Sequence, residues 1–196
     1  MRVSWEELYA QIEACRRCGL REGCTQTVPG EGDSHARLLC IGEGPGAEED
    51  RLGRPFVGAS GQLLDRMLAA IGLRREEVYI ANIVKCRPPQ NRQPLPDEAA
   101  ACLPYLRAQV ALIRPQVILL LGATAARNTI GPETRITRDR GRWVERKGVW
   151  MMPTYHPSAL LRTPSLKRDA WADLQAVRDK LRELEAERES ADHDQA

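Results

Sequence analysis

Residues 36–46, "ARLLCIGEGPG", indicate the fold most directly, because a short apolar run leads at once into a glycine-rich turn. The run from Leu38 to Ile41 is continuously apolar, which is typical of a strand buried on both faces of a parallel sheet, and Cys40 within it is expected in the core. Glycines after such a strand let the backbone approach a flat or anionic ligand closely. Their spacing does not match the G-x-G-x-x-G motif, and Pro45 would disturb a dinucleotide-binding loop. We therefore predict a strand that ends at a ligand site of another kind.

The rest of the chain alternates between apolar runs and segments of helical periodicity. Further strands are predicted within residues 78–84, 117–122 and 149–157, and helices over residues 4–17, 58–72, 96–113 and 166–187. This alternation predicts an α/β fold, in which a parallel sheet is covered by helices on both faces. The ligand crevice of such a sheet lies beyond the carboxyl ends of its strands. Those ends are expected to meet at one edge and comprise residues 42–46, 82–86, 122–123 and 155–156.

Length and charge limit how many domains the chain can form and what kind of partner it suits. The 196 residues fit one domain, which we place at residues 1–182, followed by an acidic, disordered tail at residues 183–196. The tail has six acidic residues and one basic residue, a net of −5, so the net charge of +2 leaves +7 on the body. A basic body suits a polyanionic partner such as nucleic acid, although the same charges also suit an ordinary solvated surface.

The composition and the first residues of the chain indicate the cellular compartment in which the protein is expected. The chain has no run of about 18 apolar residues, so no membrane span is expected. The first residues, "MRVSWEELYAQIEACRRC", include acids where a secretory signal would have an apolar stretch. We therefore expect a cytoplasmic protein, and a reducing compartment would keep its six cysteines free of disulfides.

The spacing of the cysteines predicts a metal or iron–sulfur site. Cys15 and Cys18 form a C-x-x-C pair, which presents two thiolates to one metal centre. Cys86 follows a predicted strand and Cys102 lies in the first turns of a predicted helix, so these two can complete a set of four. Cys24 competes for the third or fourth place. Four thiolates do not by themselves distinguish Zn²⁺ from an iron–sulfur cluster.

Three side chains in loops or at strand ends suit recognition of a flat ring. Phe56 is the only phenylalanine of the chain and lies in a glycine-bounded loop rather than an apolar run, so its ring suits stacking on a ligand, with ordinary packing as the equal alternative. Asn82 interrupts an apolar strand, where its carboxamide either pairs with the edge of a base or bonds to the local backbone. His156 precedes a proline at the end of the fourth predicted strand, at the expected ligand edge.

Basic residues gather near the same edge. They occur in residues 134–148 and 156–168, and Lys85, Arg87 and Arg92 lie in and beside the proline-rich loop that follows the second strand. Such residues suit contacts with phosphates. In "SALLRTP", Leu161 and Arg162 suit a wedge that enters a base stack, with an ordinary surface loop as the alternative.

Together these motifs resemble the family 4 uracil-DNA glycosylases, the iron–sulfur branch of that superfamily. The resemblance covers residues 8–170 and rests on C-x-x-C at Cys15, on "GEGPGAEEDRLGRPFVG", on "NIVKCRPPQNR" with Cys102 downstream, and on "YHPSALLR". It implies a three-layer α/β/α sandwich around a four-stranded parallel sheet. It also implies a DNA repair enzyme that flips uracil out of DNA and hydrolyses its N-glycosidic bond, acting as a monomer on double- or single-stranded DNA.

The resemblance implies the ligand sets as well. Cys15, Cys18, Cys86 and Cys102 would bind a [4Fe-4S] cluster, which demotes Cys24. In the uracil pocket, Glu43 and Gly44 would supply backbone contacts from the first turn. Phe56 would stack on the flipped ring, Asn82 would recognise its O4/N3 edge, and His156 would lie at O2.

The acid that positions the attacking water is the open part of this assignment. The best-known branch of the superfamily has an aspartate beside the first turn, where this chain has glycine, so the candidates are Glu43 and Glu49, with Asn91 as a helper. A related branch forms a covalent bond through a histidine in a basic loop, which is missing after Phe56 here. Ordinary turnover is therefore expected.

Two other functions remain open from the sequence. One is a non-catalytic nucleic-acid binding module that contains zinc or an iron–sulfur cluster. The other is a glycosylase for another deaminated base, such as hypoxanthine, with the same fold and a different pocket. A pure binding module has no need to bring Phe56, Asn82 and His156 together, so their arrangement distinguishes the first of these from an enzyme.

Overall fold

The computed structural model describes residues 3–193, which form one sheet covered by helices on both faces. Within these residues the sheet has six strands, in the spatial order β1-β3-β2-β4-β6-β5. They are β1 (Glu31–Gly32), β2 (Leu38–Gly42), β3 (Tyr79–Asn82), β4 (Val117–Leu121), β5 (Val144–Arg146) and β6 (Val149–Thr154).

Nine α-helices accompany the sheet in the described part of the chain. They are α1 (Trp5–Glu13), α2 (Leu20–Gly23), α3 (Ala47–Leu52), α4 (Ala59–Ala70), α5 (Pro96–Ile113), α6 (Ala123–Thr129), α7 (Ile136–Asp139), α8 (Pro157–Arg162) and α9 (Lys167–His193). Over residues 3–193, no helix is long and apolar enough to pass through a membrane.

The four central strands confirm the predicted fold class. Strands β3, β2, β4 and β6 are parallel neighbours, and they are the four strands predicted from the apolar runs. The sheet also has two antiparallel edge strands that the sequence analysis missed, β1 beside β3 and β5 beside β6. These edges have two and three residues, none of which is buried and only one of which has an apolar side chain, so no apolar run marks them.

Alternating side chains of the central strands enter two separate cores. On β2, Leu39 and Ile41 face a core shared with α1, α5 and α6, whereas Leu38 and Cys40 face a core shared with α4, α8 and α9. Successive side chains of a strand point to opposite faces, so burial on both faces requires a continuously apolar strand. Cys40 is fully buried, as expected for a core residue.

The last helix is longer than expected. Helix α9 continues to His193, so the expectation of a disordered tail from residue 183 is not met up to that residue; residues 194–196 lie outside the described part. Glu, Ala and Arg dominate this segment and have high intrinsic helix propensity. An ion pair from Lys180 Nζ to Glu183 Oε1 of 2.7 Å and one from Arg37 Nη1 to Glu185 Oε1 of 3.1 Å support the same extension.

Candidate active site

A cavity of about 580 Å³ lies at the carboxyl edge of the sheet. All four predicted strand ends contribute to its lining, as expected for a ligand crevice of a parallel sheet. The lining includes the six residues proposed above for substrate binding or catalysis, which are Glu43, Gly44, Glu49, Phe56, Asn82 and His156. Residues more than 100 positions apart in the sequence are thus brought around one ligand-sized space.

The Phe56 ring forms one wall of this cavity. Its ring centroid lies 5.5 Å from that of His156, with 29° between the planes. The backbone of Phe56 has a φ of 51°, a left-handed conformation that costs about 1 kcal/mol or more in a non-glycine residue. Arg75 Nη1 holds this conformation by donating to Phe56 O at 2.9 Å, and a Cβ at Gly61 would lie 1.8 Å from the same oxygen.

Asn82 presents an unsatisfied acceptor next to this ring. The residue is 1% exposed, and its Oδ1 has no hydrogen-bond partner within residues 3–193. A Cβ at Gly42 would lie 2.5 Å from that oxygen and 2.5 Å from Phe56 Cζ, so only glycine leaves room for both groups. Because buried polar atoms are nearly always hydrogen-bonded, the orphaned oxygen indicates a ligand that donates an N–H to it.

His156 is held as a neutral imidazole that directs a donor towards the cavity. Its Nδ1 accepts a hydrogen bond from Ser158 N at 3.1 Å and lies 2.9 Å from Ser158 Oγ. Burial, helped by the nearby Arg162 cation, lowers the pKa of His156 to about 4 against an opposing effect of Glu49. The ring is therefore uncharged at pH 7, and because Nδ1 accepts from a backbone amide, the proton resides on Nε2.

The two candidate acids differ in what they contact. Glu49 Oε1 accepts from Val57 N and Gly58 N, both at 2.9 Å, and Oε2 accepts from Gly46 N at 3.1 Å. Both oxygens of Glu49 are thus used to hold the Phe56 loop on the first turn.

Glu43 keeps one oxygen for a ligand. Its Oε2 accepts a hydrogen bond from the Thr124 hydroxyl, whereas its Oε1 has no hydrogen bond to any described residue. Of the two acids, Glu43 is better placed to act on a water or a substrate. Asn91, the proposed helper, lines the cavity, and its Oδ1 accepts from Arg87 Nε at 2.8 Å.

The basic residues proposed to contact phosphates separate into two groups. Arg162 lines the cavity, is exposed and has no ion pair within the described residues, and its neighbour Leu161 is 41% exposed. Arg92 also lines the cavity, but its guanidinium is bound to Glu98 by two hydrogen bonds of 2.7 and 2.8 Å. A charge that is already neutralised in this way is a poorer phosphate ligand than the sequence analysis assumed.

Lys85 is not a phosphate ligand in this structure. The side chain is 1% exposed, and its Nζ donates to Asn82 O at 2.9 Å and to Gln109 Oε1 at 2.7 Å. Burial lowers the pKa of Lys85 to about 8. The expectation of a DNA contact was wrong because the turn after β3 directs this side chain inwards, towards α5.

The four cysteines of the predicted cluster line a second, small cavity of about 20 Å³, and they are Cys15, Cys18, Cys86 and Cys102. Burial raises the pKa of the thiols of Cys18, Cys86 and Cys102, so these positions favour a bound metal centre or a protonated thiol over a free thiolate. Within residues 3–193 no three such side chains are close enough to hold one metal ion. This spacing does not exclude a cluster, whose irons each take one thiolate.

Cys24 does not line this cavity. Its Sγ lies 3.5 Å from Arg21 Nη1 and 3.7 Å from Arg21 O, although a hydrogen bond to Cys24 also contributes to the raised pKa of Cys86. The donor set of four soft thiolates around one space therefore fits an iron–sulfur cluster, with Cys24 beside it.

One contributor to the site was missed from the sequence. Thr124 contacts Glu43 from the first turn of α6, directly after the predicted strand end at residues 122–123, so its position relative to the strand was the available signal. Tyr155, which was expected at the ligand edge but given no role, lines the cavity between β6 and His156.

Comparisons with known proteins show which family the chain resembles. The model of the uracil DNA glycosylase superfamily matches residues 29–175. A type-4 uracil-DNA glycosylase of Thermotoga maritima is 47% identical over 86% of this chain and 90% of its own length. The type-4 enzyme of Archaeoglobus fulgidus is 45% identical over 89% of this chain and 92% of its own length. A type-5 uracil-DNA glycosylase of Pyrobaculum aerophilum is 35% identical over 68% of this chain and 66% of its own length.

Proposed function

Because the chain belongs to the uracil-DNA glycosylase superfamily, we propose that it is a DNA repair glycosylase that hydrolyses the N-glycosidic bond of uracil in DNA. The products are free uracil and an abasic site, as in the first step of base excision repair. The observation that carries this proposal is the convergence of three ring-recognising groups in one cavity, the Phe56 ring, Asn82 Oδ1 and the Nε2 proton of His156. A nucleic-acid binding module has no use for this convergence.

The pocket supplies a basis for selecting uracil over cytosine. Uracil has an N3–H donor and an O4 acceptor on the edge that a carboxamide can contact. Asn82 Oδ1 needs a donor, so N3–H satisfies it, while the amide NH₂ of Asn82 donates to O4. In the same orientation of the amide, cytosine would present its N3 acceptor to Oδ1 and its amine donor to the NH₂ group, so neither hydrogen bond would form.

The chemistry requires base flipping followed by stabilisation of charge. Extruding the base from the stack costs a few kcal/mol, least for a mispaired or single-stranded base. As the glycosidic bond breaks, negative charge develops on uracil and positive charge on the sugar. In this proposal the Nε2 proton of neutral His156 donates to the departing uracil at O2, and one such preorganised donor contributes about 3 kcal/mol; the lowered pKa and the Nδ1 contact support this role. The free Oε1 of Glu43 is available to orient the water that attacks the sugar.

We propose that Cys15, Cys18, Cys86 and Cys102 bind a [4Fe-4S] cluster. When bound, the cluster would join the segment after α1 to the proline-rich loop before α5, a structural role rather than redox chemistry at the base. The support is the shared cavity of the four side chains and their thiolate chemistry. We expect brown protein with an absorbance band at about 400 nm, and we expect Cys→Ser substitution at any of the four positions to remove that band. Colourless protein that contains zinc would contradict the proposed cluster.

DNA would bind across the mouth of the cavity. The cations available for phosphates are Arg162, Arg87 and Arg135, the last of which precedes the cavity-lining Ile136, is exposed and has no ion pair among the described residues. In this proposal Leu161, which is exposed beside Arg162, enters the gap left by the flipped base. We further propose that the protein acts as a monomer in the cytoplasm, where its six unpaired cysteines suit a reducing compartment.

The decisive experiment incubates the purified protein with oligonucleotides that contain uracil, hypoxanthine, xanthine or none of these, followed by alkaline cleavage of abasic sites. Cleavage of the uracil substrate in single-stranded, U·G and U·A forms is expected, with little at the purines. Cleavage of hypoxanthine in preference to uracil would indicate a different substrate. Binding without cleavage of any oligonucleotide would indicate a binding module.

A further inference from the structure

Lys85 has a buried position that uracil excision does not by itself explain. The side chain is one of the largest that the fold buries completely, although lysine is rarely buried without a partner. Its Nζ donates to two uncharged oxygens, Asn82 O at 2.9 Å and Gln109 Oε1 at 2.7 Å. The ion pairs found within residues 3–193 do not include this ammonium group.

Gln109 determines where the ammonium group of Lys85 sits. Its Nε2 donates to Pro29 O at 2.8 Å and to Tyr79 Oη at 3.2 Å, so its Oε1 must face Lys85. Gln109 is itself fully buried, on α5. The carboxamide is therefore locked by three contacts, and it provides a rigid anchor on the far side of Lys85.

The backbone of Lys85 is held equally firmly. Its N–H donates to Cys102 Sγ at 3.3 Å, and its carbonyl accepts from Val28 N at 2.7 Å. Backbone and side chain together connect β3, α5 and the loop before β1. The two ends of the turn formed by residues 82–85 are thus joined through Nζ and the carbonyl of Asn82.

Stability alone does not account for a lysine here. Burying an ammonium group costs free energy even when it is hydrogen-bonded, and an apolar side chain of similar size would fill the space without that cost. What an apolar side chain cannot do is hold the carbonyl of Asn82 at the point where the chain leaves β3. That peptide, whose N–H side is held by Ile83 N donating to Gly42 O at 3.0 Å, adjoins the Cα that carries the Asn82 side chain, whose Oδ1 is unpaired and next to Phe56.

We propose that Lys85 is a positioning residue for uracil recognition, which acts by holding the backbone of Asn82 so that its carboxamide meets the N3/O4 edge of the flipped base. Gln109 is the anchor through which α5 supports this position. The inference rests on the proposed function and extends it to a residue that touches neither uracil nor DNA.

The test compares Lys85→Met with the wild-type protein and with Lys180→Met, which removes a partly buried lysine of α9 that does not line the cavity. Inhibition of excision by free uracil measures recognition of the base, and binding to uracil-free DNA measures the remaining contacts. The inhibition constant for uracil is expected to rise about tenfold in Lys85→Met, equivalent to about 1.4 kcal/mol or one hydrogen bond. The affinity of Lys85→Met for uracil-free DNA should stay within about twofold of wild type. Both the inhibition constant and the DNA affinity of Lys180→Met should also stay within about twofold, well below the tenfold change expected for Lys85→Met.

A double-mutant cycle separates positioning from general loss of structure. In an Asn82→Ala background, Lys85→Met is expected to add less than about a twofold change in the inhibition constant, because Lys85 acts through Asn82. Circular dichroism and visible absorbance report the fold and any cluster of each variant. If Lys85→Met does not fold, Gln109→Leu decides the matter, with a rise of about threefold in the same constant expected from loss of one anchor.

An unchanged inhibition constant in folded Lys85→Met, or in Gln109→Leu where it replaces that variant, would overturn the proposal. An equal effect with and without Asn82 would overturn it too, since Lys85 would then act elsewhere. A wild-type protein that neither excises uracil nor is inhibited by it would instead show that the proposed function is wrong, a result that the first wild-type measurement identifies.

Discussion

Replacing His156 by alanine is the most direct test of the proposed chemistry. The structure gives His156 a neutral ring, with Nδ1 accepting from Ser158 N at 3.1 Å and the Nε2 proton available in the cavity. Loss of one preorganised donor to a developing anion costs about 3 kcal/mol, which corresponds to about a hundredfold lower rate of the chemical step. His156→Ala is therefore expected to lower the single-turnover rate of uracil excision about a hundredfold at pH 7.5. Loss of the ring pair with Phe56 should cost folding stability only about 1 kcal/mol.

The pH dependence of the wild-type protein tests the same reasoning. Burial lowers the pKa of His156 to about 4, so the neutral donor is present above that pH and is lost as the pH falls through it. The contribution of His156 to the rate should therefore be constant from pH 8 to about pH 5 and decline only below that, where a proton on Nδ1 breaks the hydrogen bond from Ser158 N that orients the ring. An ordinary histidine would begin to lose its neutral form at about pH 6.5.

The assay is single-turnover excision of uracil from a labelled oligonucleotide, with the protein in excess and alkaline cleavage of the product. Ser158→Ala is the matched control, because the backbone N–H that holds Nδ1 remains, and a change of less than about threefold is expected. His35→Ala, at an exposed histidine that does not line the cavity, should have no effect. Wild-type rates in folded His156→Ala, or an acidic decline centred near the ordinary histidine pKa, would refute the assigned role.

Three further predictions concern other parts of the site. Thr124→Val removes the hydroxyl that donates to Glu43 Oε2 and should lower the excision rate about tenfold, whereas Thr124→Ser should restore it; equal rates in both would mean that this contact does not orient the acid. Gly42→Ala places a Cβ 2.5 Å from both Phe56 Cζ and Asn82 Oδ1, so uracil inhibition should weaken at least about tenfold and folding stability should fall by about 1–3 kcal/mol, and retained inhibition with unchanged stability would contradict the described packing. Arg162→Ala should reduce the salt dependence of DNA binding by about one phosphate contact, and Arg92→Ala, whose guanidinium is paired with Glu98, should reduce it less; the reverse order would show that Arg92 leaves Glu98 to bind DNA.

The central fold followed from local sequence because its strands are buried on both faces. Continuous apolar runs appear wherever a strand lies between two helical layers, and all four such runs became parallel neighbours. The edge strands β1 and β5 carry no such signal, since an edge strand is exposed and takes its structure from the partner it pairs with. The end of α9 was misjudged because its charged residues suit a solvated helix as well as a disordered tail.

The location of the candidate site was predictable for a related reason. Parallel strands end at the same edge, so polar residues after successive strands must meet there, and Glu43, Asn82 and His156 do. The state of each polar group was not predictable. Arg92 and Glu49 looked available in the sequence, but one is paired with Glu98 and the other is occupied by three backbone amides.

The sequence by itself determined the parallel sheet, the edge at which its polar residues gather, and the set of cysteines offered to a cluster. Only the tertiary structure decided which of those polar groups face the cavity unpaired and which are used to support it. Lys85 shows the reason, because its partner Gln109 lies 24 residues away, just as Thr124 lies 81 residues from Glu43. The charge and direction of a polar side chain depend on the groups that surround it after folding, and those groups are not its neighbours in the sequence.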